Sequence, residues 1–149
     1  MRQPPATQPQ KTPEILLVDD NRQGLIARRT LLQELGYSIR TATSGEEALE
    51  LFSRQKFDIV VTDFKMPRMN GIELIRRIRG SQADARIILL SGFVEPLGLS
   101  EQTTGADAVI AKSAGEVGQL IRSVKRLLNR PAKKPPASVE TVAKARAKA

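Results

Sequence analysis

Four short runs of apolar residues, EILLV at 14–18, DIVVT at 58–62, RIILL at 86–90 and AVIA at 108–111, constrain this chain more than any other feature. Each is continuous rather than alternating, rich in β-branched side chains and too short for a buried helix. A strand that is apolar on both faces must be covered on both, as in a parallel sheet between two layers of helices. YSIRTA at 37–42 alternates instead, which suits an edge strand.

The stretches between these runs carry helical spacing. Ala27, Leu31 and Leu35 recur every fourth residue beside Arg28 and Arg29, and Gly36 closes that segment. Ser44 is placed to cap a second helix, with Glu46 and Glu47 in its first turn and Ala48, Leu49 and Phe52 as its apolar stripe. A third helix turns Ile72, Ile75 and Ile78 inward and its arginines outward. The last turns Val117, Leu120, Ile121, Val124 and Leu128 inward and stops before Pro131. VEPLGLSEQTTG at 94–105, where a fourth helix belongs, holds Pro96, Gly98 and two threonines, so a short or irregular helix is expected there. The alternation of strands and helices predicts a doubly wound α/β domain with right-handed crossovers.

That domain spans 14–129. A chain of 149 residues accommodates it with a tail at each end. The net charge of +8 looks at first like a nucleic-acid signature, but it belongs to the ends. Arg130, Lys133, Lys134, Lys144, Arg146 and Lys148 face one acid, Glu140, in the C-terminal tail, and Arg2 and Lys11 lie in the N-terminal one. The body is near neutral. Both tails, 1–13 and 130–149, are rich in Pro, Gln, Ala and Lys and poor in large apolar residues, and are read as disordered. A polycation of this kind suits weak, nonspecific, salt-sensitive contact with nucleic acid or an acidic partner, and equally a solubilising linker.

The absent residues exclude whole chemistries. Without cysteine there is no disulfide, thiolate zinc site or cysteine nucleophile, and without histidine the commonest general base and metal ligand are missing. No apolar stretch approaches the roughly 18 residues of a membrane span. MRQPPATQPQKTP at the start has no hydrophobic region and is not a secretory signal, so a cytoplasmic protein without membrane contact is expected.

In a doubly wound sheet, ligands bind beyond the carboxyl ends of the strands. Here the first run ends in Asp19 and Asp20, the third in Asp63, the fourth in Ser91 and the fifth in Lys112. Three carboxylates, a hydroxyl and an amine would converge at one rim. Clustered carboxylates repel unless a cation lies between them, and hard oxygen ligands suit Mg²⁺. Lysine binds phosphate as a point charge, and serine donates to phosphoryl oxygen. The set fits phosphoryl transfer to or from a carboxylate. In KMPRMNG, Pro67 and Gly71 also shape the turn out of the strand.

LLVDDN, IVVTDFKMPRMNG, IILLSG and GADAVIAKS, in that order, resemble the motifs of the response-regulator receiver domain of two-component signalling. The resemblance covers 14–129 and implies a flavodoxin-like five-stranded parallel sheet of order 2-1-3-4-5. It implies that Asp63 accepts a phosphoryl group from a histidine kinase or phosphotransfer protein. Asp20, Asp63 and the main-chain carbonyl of Lys65 would hold Mg²⁺, with Asp19 acting largely through water. Lys112 would neutralise the phosphoryl group, and Ser91 would follow it. Lys65 and Phe93 match the positions that flank the attacking water, so they are expected to lengthen the life of the phosphorylated state.

Three departures accompany the resemblance. Val109 stands where the family usually has a swinging aromatic ring, Ser113 stands where it usually has a cis-proline, and the fourth helix is degraded. Ser113 makes a cis bond improbable. All three fall on the read-out surface and leave the acidic site complete, so a phosphoacceptor switch acting by binding an output protein is the favoured function, and enzyme activity on other substrates is not expected. A phosphorylation-independent interaction module is the alternative. A hydrolase using an aspartyl phosphate is disfavoured, because Lys65 stands where such enzymes carry their second acid.

Overall fold

A computed structural model describes residues 12–92 and 97–130. Phe93 and most of both tails lie outside the described residues. Five strands, β1 (Glu14–Val18), β2 (Ser38–Ala42), β3 (Ile59–Asp63), β4 (Ile87–Ser91) and β5 (Ala108–Ala111), form one parallel sheet in the order β2-β1-β3-β4-β5. The helices given bounds among the described residues are α1 (Arg22–Glu34), α2 (Gly45–Arg54), α3 (Gly71–Ser81), α4 (Glu101–Thr104) and, after the last strand, α5 (Glu116–Asn129).

The continuous apolar runs form strands because both faces of the sheet are covered. Leu16, Val18, Val60, Ile87 and Leu89 pack on one side with Leu74, Ile75 and Ile78 of α3 and Ala48 of α2. Ile15, Leu17, Ile59, Val61, Ile88 and Leu90 pack on the other with Leu25 and Leu32 of α1 and Leu120, Val124 and Leu127 of α5. Each valine, leucine and isoleucine among them contributes about 1.5–3 kcal/mol by leaving water. β3 and β4 are buried throughout, whereas β2 is only partly covered and forms an edge, as its alternating sequence indicated.

Local signals start the helices. Asn21, Ser44 and Asn70 cap α1, α2 and α3 by accepting backbone N–H bonds from the first turn. α4 has four residues among those described, and Ser100 and Thr103 cap it reciprocally.

Two apolar stripes differ from the sequence expectation. Leu25 and Leu32 bury on α1, whereas Leu35 is 43 % exposed and Ala27 also faces outward. A strict spacing of four drifts about 40° around a helix at each step, so the Ala27–Leu31–Leu35 row leaves the core. On α5, Leu127 is buried, Ile121 and Leu128 are half-buried, and Val117 is 52 % exposed. Among the described residues, no helix is long and apolar enough to cross a membrane.

The register sets the functional rim. Val18 pairs with Thr62, Asp63 with Leu90, and Ser91 with Ala111. The residues that finish or follow four adjacent strands therefore emerge side by side.

Candidate functional site

Asp19, Asp20, Asn21, Asp63, Lys65, Met66, Pro67, Ser91, Gly92 and Lys112 line a cleft of about 550 Å³ at that rim. Every sequence-selected site residue within the described segments is among them. Asp19, Asp63 and Ser91 are 2 %, 6 % and 1 % exposed, while Asp20 and Lys65 lie at the surface. One carboxylate oxygen from each of Asp19, Asp20 and Asp63 lies within 4.8 Å of the others.

The backbone after β3 explains how Asp63 is presented. The N–H of Gly71 donates to the carbonyl of Phe64 at 2.7 Å and folds the start of α3 back on the strand end. A Cβ at position 71 would overlap the carbonyl oxygen of Asp63, so the approach requires glycine. Between them, Met69 N–H donates to Pro67 carbonyl at 2.7 Å around Arg68, whose φ of 67° is rare for a residue with a side chain.

Lys112 Nζ lies 2.7 Å from Asp63 Oδ1 and 3.8 Å from Asp19 Oδ2. The N–H of Lys112 donates to the carbonyl of Ser91 at 2.9 Å, which ties the ends of β4 and β5 together. Burial pushes the Asp63 carboxyl above its ordinary range; the bond to Lys112 pulls it down, and the charge of Asp19 pushes it up again. An acid so placed gains from any further cation. The donors are hard oxygens from three carboxylates, with the Lys65 segment on the same cleft, and this set suits Mg²⁺.

Sequence reasoning missed Arg28. It sits between Leu25 and Leu32 on the inner face of α1, and its Nη1 lies 2.9 Å from Asp19 Oδ2. Its only sequence signal was the i, i+3, i+7 spacing with two leucines that bury. The acidic cluster therefore carries two cations from its own chain, and its repulsion is smaller than three bare carboxylates would give.

Residues 15–125 match the family described as response regulator receiver domain. The chain belongs to that family. The virulence sensor protein BvgS of Bordetella bronchiseptica is 44 % identical over 87 residues, covering 54 % of this chain and 7 % of BvgS. The response regulator MprA of Mycobacterium leprae is 38 % identical over 94 residues, covering 63 % of this chain and 40 % of MprA. The chain thus spans less than half the length of either relative.

The response regulator TrrA of Thermotoga maritima, solved in complex with Mg²⁺-BeF, is 37 % identical with a TM-score of 0.72. That match covers 78 % of this chain and 100 % of TrrA. The same regulator has been solved bound to the histidine kinase ThkA, with 36 % identity, a TM-score of 0.71, and 79 % and 100 % covered. The receiver domain here has the five-stranded fold of these structures, in the expected order.

Proposed function

We propose that this receiver domain is a cytoplasmic phosphoacceptor switch, taking a phosphoryl group on Asp63 and acting through a binding partner. The observation that carries the reading is the 2.7 Å contact of Lys112 Nζ with Asp63 Oδ1, in a cleft that gathers two further carboxylates. In the step, a carboxylate oxygen of Asp63 forms a bond to phosphorus while the phosphorus–nitrogen bond of a kinase phosphohistidine breaks. The imidazole leaves with the electron pair and is protonated from solvent. Lys112 neutralises charge on the transferring group, and Ser91 at the cleft wall is placed to donate to a phosphoryl oxygen. Asp19, Asp20, Asp63 and the carbonyl of Lys65 would hold Mg²⁺, which supplies charge neutralisation for phosphoryl transfer when bound. The relative TrrA, solved with Mg²⁺-BeF and with a histidine kinase, supports both the ion and the donor class.

The test is incubation with Mg²⁺ and acetyl phosphate or phosphoramidate, read by intact mass. A gain of one phosphoryl group that disappears in Asp63→Asn is expected. No gain with either donor would reject the reading.

Val109 favours a second reading, a phosphorylation-independent interaction module. It is half-buried and packed against the core on the α2–α3 side of the sheet, and is too short to report by swinging. The Lys112–Ser113 bond, like every other among the described residues, is trans. Partner capture that is equal for wild type and Asp63→Asn, with and without donor, would favour this module.

A further inference from the structure

The side chain of Arg28 is 15 % exposed and reaches two acids from different elements. Nη1 donates to Asp19 Oδ2 at 2.9 Å, while Nε and Nη2 donate to Glu116 Oε1 at 3.0 and 2.6 Å. One arginine therefore joins a carboxylate of the cleft to the first residue of α5. Gly24 leaves the space for this. A Cβ there would come within 3.1 Å of Arg28 Nη1 and 3.3 Å of Asp19 Oδ2, across the contact itself. The other oxygen of Asp19 accepts the N–H of Asn21 at 2.9 Å. Both oxygens of this buried acid are thus engaged by the chain, and Oδ2 also has Lys112 Nζ at 3.8 Å.

We propose that Arg28 is a positioning residue that competes with a divalent cation for Asp19 and relays the outcome to Glu116. The proposal rests on the reading of the three aspartates as a Mg²⁺ site. A cation drawn toward Asp19 meets a guanidinium already bonded to its Oδ2. Like charges repel strongly at this range in a poorly solvated cleft. Arg28 can give up Asp19 without being stranded, because its two-nitrogen hold on Glu116 remains. Cation binding thus exchanges one partner of Arg28 and changes what ties α1 and the start of α5 to the cleft. The arrangement makes the metal affinity adjustable from outside the metal ligands.

The experiment measures Mg²⁺ affinity of the metal-free full chain by calorimetry, with the Arg28 Nε–H NMR signal as a second readout. Arg28→Met should lower the Mg²⁺ Kd by about tenfold, the size of a partly screened repulsion at this distance. Glu116→Gln should raise it, because Arg28 then turns wholly to Asp19. In the Arg28→Met background, Glu116→Gln should have no effect. In wild type the Arg28 Nε–H signal should move along the same Mg²⁺ curve as the backbone signals of the cleft.

Equal Kd values for wild type and Arg28→Met would overturn the proposal. So would an effect of Glu116→Gln that is the same in both backgrounds, since that is the mark of long-range charge alone. If Arg28→Met does not fold, Glu116→Gln and the wild-type NMR titration decide. Asp20→Asn separates the two levels. Mg²⁺ binding that needs Asp20 but ignores Arg28 defeats only this inference, whereas no binding by wild type defeats the metal reading and the inference with it.

Discussion

Asp107 supports the site from the far end of the sheet, and replacing it with asparagine should weaken the whole domain. Its side chain is 3 % exposed and faces Arg79 at 2.9 Å and Arg130 at 3.0 Å. It also accepts the N–H of Ile87 at 2.8 Å, while its own N–H donates to the carbonyl of Ile87 at 2.8 Å. This double link aligns β4 and β5 at their starts and so fixes where Ser91 and Lys112 emerge. Removing one partner of a buried ion pair costs about 3–5 kcal/mol. Arg79 and Arg130 keep 22 % and 34 % of their side chains in solvent, which screens part of that cost. A loss of about 2–3 kcal/mol for Asp107→Asn near neutral pH is therefore expected.

The pH dependence has a definite sign. Burial raises the Asp107 carboxyl, but the bonds from Ile87, Arg79 and Arg130 outweigh it and hold it below the ordinary value of 3.8. The folded state thus favours the ionised form. Its contribution is present above the unfolded value and is lost as pH falls through the folded one. Urea unfolding of wild type and variant at about pH 7 and about pH 3 measures this, and the gap in stability should narrow in acid. A gap below about 0.5 kcal/mol at neutral pH, or one of equal size at both, would refute the reasoning.

Other perturbations test the cleft itself. Gly71→Ala should cost about 1–3 kcal/mol in denaturant melts, because the added carbon meets the backbone of Asp63, which cannot give way as a side chain can. In metal-free buffer, Asp63→Asn should be more stable than wild type near neutral pH. The raised Asp63 carboxyl makes ionisation a cost that grows as pH climbs from 3.8 through the folded value, so the gain should vanish in acid melts. Lys65 is exposed and lines the same cleft as Asp63. Phosphate loss after donor removal should therefore be faster in Lys65→Ala than in wild type, and equal rates would dismiss a shielding role.

The strands were legible because burial on both faces leaves an unbroken apolar run, and the site was legible because the strand ends name its residues. Asp63 and Ser91 end their strands, and Asp19 and Lys112 each follow a strand by one residue, so one-dimensional punctuation became a three-dimensional cluster. Helix faces were harder to read. Leu35 and Val117 are apolar yet exposed, while Leu127, absent from the expected stripe, is buried. A helix offers an apolar residue several flanks, and only its neighbours select the buried one. Arg28 was illegible for the opposite reason. A charged residue among arginines reads as solvated surface, and its partners are 9 and 88 positions away. Asp107, whose Arg79 and Arg130 partners come from α3 and the end of α5, was hidden in the same way.

The central claim is that Asp63 itself carries the phosphoryl group. The direct measurement is treatment of the full chain with Mg²⁺ and phosphoramidate, followed by borohydride reduction and peptide mapping. Reduction converts an aspartyl phosphate to homoserine with release of phosphate. The account predicts homoserine at position 63, dependent on Mg²⁺ and absent without donor. Homoserine at another aspartate, or none when phosphoryl uptake by the protein is evident, would contradict it.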